Sequence, residues 1–160
     1  MQHRIVDSPI GPLTLVGDEG VLSGLYMDAQ RYAPDTAAFG PRTNTGFQAA
    51  AEQLAEYFAG RRTEFTVPLR LAGTEFQQRV WQALRTIPHG ETWSYARLTA
   101  AIGRGPDRVR AVGAANGRNP ISIVVPCHRV IGSDGRLTGY GGGLERKQFL
   151  LDLERRVAVS

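Results

Sequence analysis

The 160 residues contain one cysteine, which is followed directly by a histidine and an arginine in the run Pro126-Cys127-His128-Arg129. A thiol is a weak nucleophile until it loses its proton, and a free cysteine has a pKa of about 8.5. A nearby imidazole or guanidinium lowers that value, and a hydrogen-bonded base can take the proton directly or through a water. Pro126 stiffens the approach to the thiol. Near the end of the chain, Glu154 follows Leu150 and Leu151 at helical spacing. Those positions share a face, so the carboxylate is expected to point inward with the leucines. A buried carboxylate needs a partner, and a histidine oriented by a carboxylate is a directed base. Cys127, His128 and Glu154 are therefore a candidate nucleophile, base and orienting group. The plainer alternative is an inert buried thiol, a surface histidine and a solvated glutamate. One cysteine permits no intramolecular disulfide and no multi-cysteine zinc site, and His3, His89 and His128 are scattered, so no metal is expected.

The elements that must position these residues fall into two groups. Arg4–Asp7 and Leu13–Val16 flank a turn-rich SPIGP, and Val21–Met27 follows GDEG, which predicts antiparallel β-structure. Residues 28–45 are polar and broken by two prolines, and are read as a long loop. Residues 46–59 have helical spacing, with Phe47, Leu54, Tyr57 and Phe58 on one side, and Glu64–Leu71 is read as a last strand. From residue 73 the character changes. Thr74-Glu-Phe-Gln77 is a capping box. It opens a helix carrying Phe76, Val80, Leu84 and Ile87, with Pro88 and Gly90 as its stop. Ser94 is expected to cap a helix to Ile102, and Asp107 one from Arg108 to Asn116. Two short helices joined by a Gly-Pro turn resemble a helix-turn-helix. Ile121–Val125, apolar and rich in β-branched residues, reads as a buried strand ending at Pro126. A glycine-rich loop and a helix from about Leu144 to Glu154 close the chain.

Composition sets the outer limits. Apolar residues make up 42% and charged residues 21%, which excludes a wholly disordered chain. The length fits one domain, or two small lobes sharing a core. The change of character places the boundary at residue 72, giving lobes 1–72 and 73–160. No apolar run is long enough for a membrane helix and no signal core opens the chain, so a cytoplasmic protein without membrane association is expected. The charge is uneven: residues 1–72 hold 6 basic and 8 acidic side chains, residues 73–160 hold 13 and 7. All the basic residues but Lys147 are arginine. A basic, arginine-rich half suits a polyanion partner.

The run Ile123–Ile131 resembles the active-site signature of the O6-alkylguanine-DNA alkyltransferases. So do Phe76–Trp81, Gly90–Tyr95, Arg110–Gly113, Asn119-Pro120 and Tyr140–Gly143, in family order and with compatible spacing. The resemblance implies an α/β (α+β) fold, with a small ribonuclease-H-like sheet lobe and a mainly helical lobe bearing a helix-turn-helix. It implies single-turnover transfer of the O6-alkyl group of guanine in DNA to Cys127. His128 would be the base acting through a water, Glu154 would orient it, and Asn119 would hold the active-site turn. Tyr95 would stand by the flipped nucleotide. Arg110 would enter the duplex in its place, with Ala111 and Asn116 at the DNA face. Val130, Tyr140 and Gly141 would line the guanine pocket. The implied partner is double-stranded DNA carrying O6-alkylguanine, bound by a monomer that can cluster on DNA, with no cofactor.

The zinc ligands that some relatives carry in the first lobe are missing, and the further N-terminal domain of others is not expected ahead of this chain. Asn116 stands at a position where members vary, which leaves the tolerated alkyl size open. Two rivals remain at this point: a protein that only binds alkylated DNA, and a cysteine hydrolase built on Cys127, His128 and Glu154. The second leaves Tyr95, Arg110 and the basic half without a role. A transcription regulator is a weaker reading, because one recognition helix in a monomer gives little sequence specificity.

Overall fold

The computed structural model describes residues 1–158. Its amino-terminal part is an antiparallel sheet of β1 (Gln2–Val6), β2 (Leu13–Asp18) and β3 (Val21–Met27) in that spatial order. Leu13, Leu15, Leu22 and Leu25 leave the pleat on the core side and are fully buried. One bulge interrupts the β2–β3 ladder at Val16 and Gly17. The helix α1 (Gln48–Phe58) packs Leu54 and Tyr57 into the same core. It starts two residues later than the periodicity predicts, because Phe47 takes a left-handed conformation at φ 58° and acts as the N-cap.

The carboxy-terminal part is helical: α2 (Glu75–Leu84), α3 (Tyr95–Ala101), α4 (Val109–Gly117) and α5 (Leu144–Ala158). The capping box at Thr74 and Gln77 forms with both of its hydrogen bonds. Ser94 caps α3 by accepting from the Arg97 amide. A short parallel pair, β4 (Trp93–Ser94) and β5 (Val130–Ile131), ties the start of α3 to the segment after Cys127. The Trp81 indole is buried and donates to the Ala115 carbonyl at 2.9 Å, locking α2 to α4. Gly113, on another side of α4, leaves room for the Tyr95 ring of α3.

Four expectations need correction. Glu64–Leu71 forms no strand. Pro68 has no amide hydrogen to give to a ladder, and the segment makes a single bridge, in which Leu22 donates to the Pro68 carbonyl and accepts from the Arg70 amide, each at 2.9 Å. The α2 helix ends at Leu84, and Ile87 reaches the core from the turn that follows. Asp107 caps nothing; it lies inside a 3-10 turn, Pro106–Arg108, that leads into α4. Ile121–Val125 is not a strand but a tight loop, with the Val125 amide bonded to the Ile121 carbonyl at 2.9 Å. Burial of four of its five residues, with a single bridge from Ile121 to Leu25 in place of a strand ladder, explains its apolar run.

The edge of β3 joins the two parts. Leu25 donates to the Pro120 carbonyl at 2.9 Å and accepts from the Ser122 amide at 3.4 Å. The loop ahead of Cys127 therefore rests directly on the amino-terminal sheet.

Candidate active site

Cys127 opens a 3-10 turn, Cys127–Arg129, that follows the tight loop. Two features fix that loop. Ile123 sits at φ 73°, a costly conformation for a β-branched residue. Asn119 spans the loop, donating from Nδ2 to the Val125 carbonyl at 2.7 Å and accepting at Oδ1 from the Ile121 amide at 3.0 Å. Strain of this kind persists only where the surroundings impose it. Here it lies one turn of chain ahead of the thiol.

His128 is fully buried and Glu154 is 1% exposed. The His128 Nε2 lies 2.7 Å from Glu154 Oε2. Arg129 donates to the same carboxylate from Nε at 2.8 Å and from Nη2 at 3.0 Å, and from Nη1 to the Ile87 carbonyl at 2.6 Å. The Tyr57 hydroxyl, from α1, adds a further hydrogen bond at 2.6 Å. Burial alone would raise the Glu154 pKa, but His128 and Arg129 outweigh it and hold the carboxyl well below the usual carboxylate range. Burial lowers the His128 pKa, against the opposing pull of Glu154, so the imidazole is neutral near pH 7. An ionised Glu154 then assigns the proton to Nε2 and leaves Nδ1 as the basic atom. That Nδ1 is buried and has no hydrogen-bond partner among the described residues.

The Cys127 thiol is 5% exposed. Burial pushes its pKa up, while a hydrogen bond from Asn119 and the positive charge of Lys147 pull it down. Lys147 donates from Nζ to the Val130 carbonyl at 2.6 Å and the Thr138 carbonyl at 2.9 Å. Burial lowers its own pKa to about 8.

A narrow crevice reaches Cys127, lined in part by Asn116, Ser122, Tyr140, Gly141 and Gln30. Val130 is fully buried and is not part of that lining. Tyr95 opens α3 with its ring against Gly113 and its hydroxyl 3.4 Å from the Thr138 carbonyl. On α4, Arg110 and Ala114 are exposed and Ala111 is half-buried, while Val112, Ala115 and Asn116 are buried. The small residues thus serve two faces, one toward the neighbouring helices and one toward solvent.

Four residues at the site have roles that the sequence does not announce. Arg129 adjoins the cysteine, yet nothing in the run points to the carboxylate it meets. Lys147 carries a signal, being the lone lysine among arginines. Tyr57 is visible only as part of an apolar helix face. Gln30, in a polar loop, offers no signal at all.

A buried thiol next to a histidine–carboxylate pair thus lies in the same lobe as two short helices, α3 and α4, with Arg110 exposed on the second. Residues 75–156 match the model of the 6-O-methylguanine DNA methyltransferase DNA binding domain, and residues 1–71 match that of its ribonuclease-like domain. The chain belongs to the 6-O-methylguanine DNA methyltransferase family. It is 58% identical over 158 residues to the methylated-DNA–protein-cysteine methyltransferase of Mycolicibacterium paratuberculosis, covering 98% of this chain and 93% of that one. Identity to the Methanosarcina barkeri protein of the same name is 47% over 154 residues, covering 96% and 97%. The crystal structure of Mycobacterium tuberculosis OGT in complex with DNA superposes with a TM-score of 0.94 at 55% identity, covering 98% of this chain and 94% of that one.

Proposed function

We propose that Cys127 receives the O6-alkyl group of a guanine flipped out of duplex DNA, once per protein molecule. The chain is a methylated-DNA–protein-cysteine methyltransferase and acts in direct-reversal DNA repair. The observation that carries the assignment to Cys127 is the buried thiol next to a histidine whose Nε2 is committed to Glu154. In the proposed step His128 Nδ1 takes the thiol proton through a bound water. The thiolate sulfur attacks the alkyl carbon in line; the S–C bond forms as the C–O6 bond breaks. The electron pair passes to the guanine oxygen and ring, and guanine recovers a proton to leave as the normal base.

Inside a stacked duplex the alkyl carbon on O6 is out of reach, so the nucleotide must be extruded at a cost of a few kcal/mol. Arg110, exposed near the start of α4, fills the gap. Tyr95 stands by the extruded nucleotide, and Ala111 and Ala114 let the helix approach the groove floor. Asn116, Tyr140 and Gly141 form the base pocket, while Val130, expected there too, is buried in the core. Asn119 holds the acceptor loop. The thioether is stable, and no second cysteine exists to resolve it, so the protein is consumed. No cofactor is required, since the DNA is the donor. We assign the lobes to residues 1–72 and 73–160, and read the protein as a monomer that can cluster on DNA, working in the cytoplasm at the nucleoid.

Turnover tests this. With excess duplex carrying O6-methylguanine, one equivalent of guanine should be restored per protein and the reaction should stop. Continued turnover, or binding without loss of methyl, would contradict it.

A further inference from the structure

We propose that Gln30, on a loop of the amino-terminal lobe, determines which O6-alkyl groups the acceptor crevice admits; the inference rests on Cys127 being the alkyl acceptor. Gln30 lines the same crevice as Cys127, Asn116, Tyr140 and Gly141. Among the described residues it is the one part of that lining contributed by the first 72. Its carboxamide is not loose. The Oε1 atom accepts from the Met27 amide at 2.9 Å, and the Gln30 amide returns to the Met27 carbonyl at 3.3 Å.

The backbone on both sides is held in an unusual shape. Ala29 and Tyr32 take left-handed conformations at φ 56° and φ 64°, which residues with a side chain rarely adopt. Two contacts hold the loop there. The Arg31 amide donates to the Gly141 carbonyl at 2.8 Å. The Tyr32 ring lies under the Arg118 guanidinium at 3.8 Å and the Arg31 guanidinium at 4.8 Å, joining the loop to the end of α4. Gly141 packs against the same loop: a Cβ there would be in ordinary contact with Gln30 Cγ at 3.5 Å and with the Arg31 carbonyl oxygen at 3.4 Å. Strained backbone held by its surroundings marks a position where placement matters. The side chain placed is the crevice wall.

An alkyl substituent offers no hydrogen bond, so the crevice can sort alkyl groups only by volume. Each methylene in such a pocket changes the rate by roughly 10–200-fold. The aliphatic stem of Gln30 is therefore a limit on the size of group that reaches sulfur.

The test compares wild type, Gln30→Ala and Gln30→Met on duplexes carrying O6-methylguanine or O6-butylguanine, with single-turnover rates read as alkylation of Cys127. Shortening the wall should raise the butyl-to-methyl rate ratio by about tenfold or more. Methionine, which restores the length of the side chain, should bring the ratio back toward wild type. Thermal melting of each variant separates this from misfolding. An unchanged ratio in Gln30→Ala, whether both rates hold or fall together, overturns the inference. Absence of methyl transfer by wild type would instead overturn the acceptor assignment beneath it, and it would appear before any variant is compared.

Discussion

Glu154 is held from two sides by different chemistry. From the helical lobe come His128 and Arg129, a ring N–H and a full charge, next to Cys127 in sequence. From the sheet lobe comes Tyr57, a neutral hydroxyl 97 residues away along the chain. The same contrast recurs at the acceptor loop. Asn119 spans it from within, while β3 supports it from outside through two backbone hydrogen bonds of Leu25. The helical lobe thus supplies the charged and titratable groups around this carboxylate. The sheet lobe supplies single neutral contacts that fix where those groups stand. At this carboxylate, changes in the sheet lobe should act mainly on position and stability, and changes in the helical lobe on chemistry as well.

Glu154→Ala gives the largest expected effect. It strands the buried Arg129 guanidinium and frees His128 to turn, so stability in urea should fall by about 3–5 kcal/mol and methyl transfer should be lost. Asn119→Ala comes next, leaving the Ile121 amide without its partner and the Val125 carbonyl with the Cys127 amide as its remaining donor. It should cost about 1–3 kcal/mol and slow transfer with little effect on DNA affinity, as a gel-shift titration would register. Tyr57→Phe removes one hydrogen bond to a charged group, worth about 1.5–3 kcal/mol. The comparison predicts that it lowers the melting temperature while transfer falls far less than in Glu154→Ala; equal loss of transfer would erase the distinction between the lobes.

Acid should act on the same cluster. Folding lowers the pKa of both His128 and Glu154. The unfolded chain therefore binds more protons than the native one below about pH 6.5 for the histidine and about pH 4.3 for the glutamate. Their contributions are whole above those values and are lost as pH falls through the folded pKa. Melting temperature should drop progressively from about pH 6.5 downward, and the lower part of that drop should be missing in Glu154→Gln. The smallest stability effect belongs to Arg110→Ala. An exposed side chain of this kind changes stability by about 0.5 kcal/mol or less, yet transfer from duplex DNA should slow while reaction with the free modified base does not.

The helical lobe is legible in the sequence because its signals are local. A capping box, a serine cap and a Cys-His-Arg run each declare themselves within a few residues. Ile121–Val125 misleads because an apolar, β-branched run marks burial, and here burial comes from a loop folded on itself around Asn119. Glu64–Leu71 misleads in a similar way, since among the described residues its one bridge to the sheet is to Leu22. The inward turn of Glu154 follows from its spacing with two leucines, but its partners Arg129 and Tyr57 do not. A tyrosine on an apolar face gives no sign that its hydroxyl meets a carboxylate on a distant helix. Gln30 is unreadable for the same reason, because its role depends on a loop geometry fixed by contacts with Gly141 and Arg118.

The most direct test of the acceptor assignment is mass measurement after mixing the protein with duplex DNA carrying O6-methylguanine. The account predicts one added methyl per protein, located on the peptide containing Cys127 and absent from Cys127→Ala, which should still bind the lesion. A methyl on another residue, or an unmodified Cys127 peptide after the DNA has been repaired, would contradict it.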